Sequence, residues 1–224
     1  MSNQFIAWWQ SLNTLWKELL LENLKVDKEP PYNELAKLLQ LKELNCSKKD
    51  IYSLDPIRNF INLEKLICFQ TNINTLEPIK NLKKLKEIRC FETDIEDLDY
   101  LKDLENLEEL RIYLTFIKDL EPLKNLKKLK TLHCSELDLI SLDPLAKLTN
   151  LENLFLASTN ILDLTPLENL VKLEKLSINN TKVKTIEPIM NLKELKVLDC
   201  KETEISSAEI SVFKENNPNC IVFN

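Results

Sequence analysis

The sequence contains no glycine in 224 residues, where average usage of about 7% would supply roughly 16. P-loops, dinucleotide-binding G-x-G-x-x-G turns, G-x-S-x-G nucleophile elbows and ordinary EF-hand loops all require glycine, so none can be written here. Histidine is nearly absent too, with His133 the one copy. That excludes a multi-histidine metal site and leaves a histidine-based triad a single candidate. Long apolar runs are also missing: no uninterrupted stretch approaches the ~18 residues of a membrane span. The opening segment MSNQFIAWWQSLNTLWKELL has no basic residue before Lys17 and no small-residue cleavage site, so it does not read as a signal peptide. These absences point to a cytoplasmic chain with no membrane partner, no cofactor and no metal.

What is present is enough for a real core: 44% of residues are hydrophobic and 29% charged. Thirty basic residues against 36 acidic ones give a net charge of −6. Nucleic acid is therefore not the expected partner, because phosphate neutralisation needs a concentrated positive face. Two basic stretches, IKNLKKLK at 79–86 and LKNLKKLK at 123–130, recur at equivalent points of a repeat and read as a solvated face.

That repeat organises the chain. Leucines at 41, 63, 85, 107, 129, 151, 173 and 195 open the same pattern every 22 residues without an insertion. One unit reads Leu63-x-x-Leu66-x-Cys68, then Ile73-x-x-Leu76-x-Pro78-Ile79-x-x-Leu82. The unit from Leu107 repeats it with Leu110, Ile112, Ile117, Leu120, Pro122, Leu123 and Leu126. We number the units coils 1 to 8 and count positions from each opening leucine. The L-x-L or L-x-C stretch alternates apolar and polar, which predicts a short strand with one buried face. Asp55, Glu77, Glu121 and Asp143 precede prolines, so an acidic cap followed by proline at the first helical position predicts a short helical turn. One coil cannot bury its apolar positions alone, so neighbours must stack. The fold expected is an α/β solenoid, a curved stack with a parallel sheet on its concave side and short turns on its convex side.

These residues resemble the leucine-rich repeat family, whose pattern is L-x-x-L-x-L-x-x-N-x-L. More narrowly they are similar to its 22-residue class, found in bacterial internalins and in phosphatase-regulating repeat proteins. The resemblance covers roughly 41–216 and implies a horseshoe with a concave sheet, 3₁₀ or α turns behind it, a helical N-terminal cap and a protein-binding role. Together with lysine-, isoleucine- and asparagine-rich usage it implies a bacterial origin. One departure is clear. The family's asparagine at position nine is mostly threonine here (Thr71, Thr93, Thr115, Thr159, Thr181, Thr203), and a hydroxyl replaces only part of an amide's hydrogen bonding.

The expected organisation is a helical N-terminal cap at 1–40, eight repeats over 41–216 and a closing strand at 217–224. Phe5, Trp8, Trp9, Leu12, Leu15, Trp16, Leu19 and Leu20 share a face of about 140° on one helix, which reads as a lid on coil 1. Leu35 and Leu38 match late apolar positions of a preceding coil. At the other end a helix is expected near Ile205–Phe213, and Cys220 and Val222 fall 22 residues after Leu198 and Cys200. Cys46, Cys68, Cys90, Cys134 and Cys200 all hold the inward sixth position, so they read as free buried thiols. Without glycine, corners needing positive φ are assigned to asparagine. Two rows qualify: position nineteen, with Asn59, Asn81, Asn125, Asn169 and Asn191, and position twenty-two, with Asn62, Asn106 and Asn150.

The outward strand positions carry the functional information. Position five reads Asn45, Ile67, Arg89, Arg111, His133, Phe155, Ser177, Asp199, and position seven reads Ser47, Phe69, Phe91, Tyr113, Ser135, Ala157, Asn179, Lys201. Ile67, Phe69, Phe91, Tyr113 and Phe155 thus lie beside Arg89, Arg111 and His133, with Leu114 and Phe116 continuing the patch at the rim. Aromatic residues and arginine are the usual anchors of protein interfaces, and an exposed apolar patch marks a binding site. The expectation is a monomeric, non-enzymatic scaffold gripping a protein or peptide on its concave face. An oligomerisation module acting through the Trp-rich helix is the alternative. Single-stranded nucleic acid on arginine and aromatics, or an enzyme using Glu87, Glu109 and His133, are remoter. His133-Cys134 is no catalytic dyad, because adjacent strand residues face opposite sides.

Overall fold

The structure is a computed structural model that describes residues 3–26 and 28–224. Among these residues it has one nine-stranded, all-parallel sheet with strands in chain order. The strands are β1 Glu43–Asn45, β2 Lys65–Ile67, β3 Glu87–Arg89, β4 Glu109–Arg111, β5 Thr131–His133, β6 Asn153–Phe155, β7 Lys175–Ser177, β8 Val197–Asp199 and β9 Ile221–Phe223. Their register follows the repeat, so Leu44 aligns with Leu66, then Ile88, Leu110 and Leu132. Each strand places one side chain inward between two outward ones. The inward rows, including the five sixth-position cysteines, form one continuous core, and all six cysteines are free. Burial pushes the Cys46 and Cys90 thiols up to about 12, so they pack as small hydrophobes.

The convex side carries 3₁₀ turns such as Asp55–Ile57, Glu77–Ile79 and Glu121–Leu123. The expected acidic caps are not caps. The cap position is a leucine such as Leu54 or Leu76, which makes no side-chain bond, and the acidic residue is the first of the turn. The capping oxygen sits two residues earlier, at position thirteen. There Ser53, Thr75, Asp97, Asp119, Ser141, Asp163 and Thr185 each accept from the backbone N–H two residues on, at 2.8–3.1 Å. Such local side-chain turns are what Ser, Thr and Asp do best, and the row contains nothing else.

The corners also differ from expectation. Positive φ occurs at position eight, on Lys48, Gln70, Glu92, Leu114, Glu136, Ser158, Asn180 and Glu202, and not at either asparagine row. Solvent-facing side chains here tolerate a conformation costing about 1–2 kcal/mol relative to right-handed backbone. The position-twenty-two asparagines instead tie coils together. Asn106 Nδ2 donates to the Lys83 carbonyl at 2.8 Å and its Oδ1 accepts from Lys128 Nζ at 2.8 Å. Asn62 and Asn150 do the same, with Lys84 and Lys172 as donors. Other lysines of the two basic stretches are similarly engaged, Lys86 by Glu64 and Lys130 by Glu108. The position-nine threonines make no coil-to-coil ladder: each hydroxyl donates to the carbonyl three residues earlier in its own coil, as Thr93 does to Cys90 at 2.6 Å.

The single lid helix expected at the N-terminus is two, α1 Asn3–Ser11 and α2 Thr14–Leu24, because Asn13 caps the second by accepting from the Trp16 N–H at 2.8 Å. Trp9 and Trp16 are buried, and Trp8 donates to the Pro56 carbonyl at 3.0 Å. Asn23 closes the β1 edge by taking the Asn45 N–H at 2.9 Å and donating to its carbonyl at 3.0 Å. It does for β1 what a preceding strand would do. A short helix α3, Tyr32–Leu35, then leads into coil 1 with Leu35 and Leu38 fully buried. At the far end α4 spans Ser207–Asn216, and Glu209 accepts from the Thr185 hydroxyl and the Ile186 N–H, both at 2.6 Å. β9 pairs with β8 and leaves Ile221 and Phe223 exposed.

Candidate partner-binding face

Every outward residue named from the sequence on positions five and seven lies on one face of the sheet, because the register aligns equivalent residues of adjacent coils. Their arrangement is more specific than two parallel rows. Phe69 stacks on Phe91 with ring centroids 4.4 Å apart and planes 8° from parallel, and Phe91 stacks on Tyr113 at 4.3 Å and 11°. Position seven then offers only Ser135 and Ala157. The ladder crosses to position five: Tyr113 meets His133 at 4.2 Å, and His133 meets Phe155 at 5.1 Å. Five rings thus run unbroken over coils 2 to 6. Parallel strands near 4.8 Å apart set this spacing, which is close to ideal for stacked rings.

The stacking decides what the ladder can offer. Phe69, Phe91 and Tyr113 spend ring faces on one another, Lys48 Nζ lies 5.8 Å from the outer end at Phe69, and His133 and Phe155 are tilted against their neighbours. The stacked rings make an apolar strip across the middle of the sheet.

The arginines are already paired. Arg89 Nε lies 2.5 Å from Glu87 Oε1, without the N–H being aimed along a hydrogen bond, and its Nη2 lies 3.4 Å from Glu109 Oε1. Arg111 Nε donates to Glu109 Oε1 at 2.6 Å. Lys65 bridges Glu43 and Glu87 at 3.6 and 3.4 Å. Glu87 and Glu109, the carboxylates an enzyme reading would use beside His133, are therefore occupied as counter-ions. Writing out position three (Glu43, Lys65, Glu87, Glu109) beside position five would have revealed this pairing. Burial between rings, aided by Arg111, pushes His133 down to about 4, so it is a neutral member of the stack at neutral pH. Tyr113 is raised by burial first and then by the carboxylates of Glu92 and Glu136.

Exposure sorts the candidates. Ile67 is 8% exposed and props the face from within, while Phe69, Arg89, Phe91, Arg111, Tyr113, His133 and Phe155 are half-buried. Leu114 and Phe116 stand out at the rim, 42% and 61% exposed. Among the described residues no group of three or more His, Cys, Asp or Glu side chains is placed to hold a metal ion, and no helix is long and apolar enough to cross a membrane.

No protein-family model matches this sequence, and no curated protein matches it. Solved structures do. Internalin C2 from Listeria monocytogenes superposes with a TM-score of 0.81 at 24% identity, over 94% of this chain and 92% of that one. A leucine-rich repeat protein of Leptospira interrogans gives 0.78 at 26% identity, over 88% of this chain and 52% of that one. The ectodomain of a plant receptor kinase from Arabidopsis thaliana, in complex with Casparian strip integrity factor 2, gives 0.72 at 18% identity, over 87% of this chain and 25% of that one. The chain therefore has the leucine-rich repeat fold, in the form built from 22-residue coils.

Proposed function

We propose that this chain is a non-enzymatic interaction module that holds a protein or peptide partner across the concave sheet of coils 2 to 6. The observation that carries this reading is the five-ring ladder. The fold does not require it: coils 7 and 8 build the same strands with Ser177, Asn179, Asp199 and Lys201 outward. Rings placed where the backbone is indifferent to side chain are best explained by contact with another molecule. The plant receptor neighbour, solved in complex with another factor, fits a scaffold of this kind. Because Arg89 and Arg111 are neutralised in place, they orient polar contacts rather than attract an acidic partner. Free, mostly buried thiols support a reducing, cytoplasmic setting, and the two bacterial neighbours support a bacterial origin. The oligomerisation alternative draws less support, since Trp9 and Trp16 are turned into the cap's own core; we read the chain as a monomer.

The test is affinity capture with mass spectrometry, comparing the native chain with Phe91→Ala combined with Arg111→Ala, after circular dichroism shows both folded. The partner captured by the native chain should be lost from the double variant. Unchanged capture by the folded variant would sink the concave-face assignment.

A further inference from the structure

Coil 4 departs from its neighbours at the rim of the sheet, at two positions at once. Its left-handed residue is Leu114, where the other coils place lysine, glutamine, glutamate, serine or asparagine. Two residues on it carries Phe116, where coils 3 and 5 carry Asp94 and Asp138. Both apolar side chains are exposed. Left-handed backbone is best tolerated by asparagine or aspartate among residues with a β-carbon, so local structure gives no reason for leucine there. The hydrogen bonding changes at the same place. In coils 3 and 5 the position-eight N–H donates to the next coil's carbonyl, Glu92 to Tyr113 at 3.1 Å and Glu136 to Ala157 at 2.8 Å. Leu114 makes no such bond to Ser135.

The surroundings of this apolar pair are acidic. Glu92 and Asp94 flank it on coil 3, and Glu136 and Asp138 on coil 5. On the turn side Phe116 forms one wall of a groove of about 590 Å³, whose charged lining is Glu96, Asp97, Asp99 and Asp119 against the single cation Lys118. Eight carboxylates around two exposed apolar side chains make a surface complementary to one kind of partner.

We propose that the coil 4 rim docks an extended segment of a partner protein whose apolar side chains alternate with lysine or arginine. The apolar groups would cover Leu114 and Phe116, and the cations would face the flanking carboxylates. This rests on the interaction-module reading and names the partner chemistry at the edge where the ladder, through Tyr113, meets the rim.

The test uses three short fluorescein-labelled peptides and fluorescence anisotropy: alternating lysine and leucine, alternating glutamate and leucine, and alternating lysine and serine. The lysine–leucine peptide should bind the native chain at least roughly tenfold tighter than either of the others. Phe116→Ser should weaken it roughly tenfold, the ordinary loss of an interface anchor, and Asp94→Lys with Asp138→Lys should do so too. All these positions are exposed, so the variants keep the fold. Asn179→Ala, outward on coil 7 and away from both the ladder and the rim, should leave this peptide within about twofold; loss of rim binding with unchanged capture by the native chain separates a failure here from a failure of the concave-face reading. Three results would each overturn the proposal: equal binding of the glutamate–leucine peptide, equal binding of the lysine–serine peptide, or native-like affinity in Phe116→Ser.

Discussion

Leu132 and His133 are adjacent in β5, yet they belong to different problems. Leu132 points inward, fully buried in a row that reads leucine or isoleucine in each of the eight coils. His133 points outward into a row that reads Asn, Ile, Arg, Arg, His, Phe, Ser, Asp across them. The inner face is uniform because each coil meets an equivalent coil on both sides, and a change in one volume is felt by both neighbours. The outer face varies because nothing in the stack constrains it. Stability is written on the inner side of a three-residue strand, while the outer side is left free to vary.

The comparison breaks most visibly at the inner face. Leu132→Ala should lower stability by about 2–5 kcal/mol, the usual loss for a buried leucine that leaves a cavity, read as a fall in the urea midpoint. A loss no larger than that of an outward substitution would remove the distinction between the faces.

His133 sharpens the comparison, since an outward residue held in a ring stack should still report on folding through pH. Its folded pKa of about 4 lies below the ordinary 6.5, so the unfolded chain binds the extra proton between those values. Its contribution is therefore complete above pH 6.5 and is lost as pH falls toward 4. Half exposure reduces the effect to on the order of 1–2 kcal/mol. Urea titrations at a series of pH values should show His133→Phe with a shallower loss of stability across that window. An identical slope in both chains would mean that the ring is not held neutral by the ladder.

Leu114 is the smallest expected effect and has the opposite sign. Leu114→Asn should raise stability by about 0.5–1 kcal/mol by relieving left-handed strain, while weakening the lysine–leucine peptide. Thermal melts beside the anisotropy measurement check both halves. A variant that gains stability and keeps full peptide affinity would show that the leucine serves neither purpose.

The misreadings share one cause. Position thirteen is legible, with seven Ser, Thr or Asp residues in register, but proline three residues later in most coils draws the cap to the acidic residue beside it. Intrinsic preference alone would put asparagine at the corners. The chain instead uses Asn62, Asn106 and Asn150 where an amide can donate to one coil and accept from the next, which no single coil reveals. The apolar face of the N-terminal segment is continuous and suggests one helix; Asn13, a strong capping residue inside that face, is the mark of the break.

The 22-residue spacing by itself determined the solenoid, the parallel register, the inward rows and the residues of the concave patch, because a fixed period leaves stacked coils one way to bury the same positions. Tertiary structure alone decided the rest. It turned a list of aromatics into a ladder that changes rows at Tyr113 and His133, and placed left-handed backbone on position eight. Each depends on distances between coils, and the sequence of one coil carries no distance to the next.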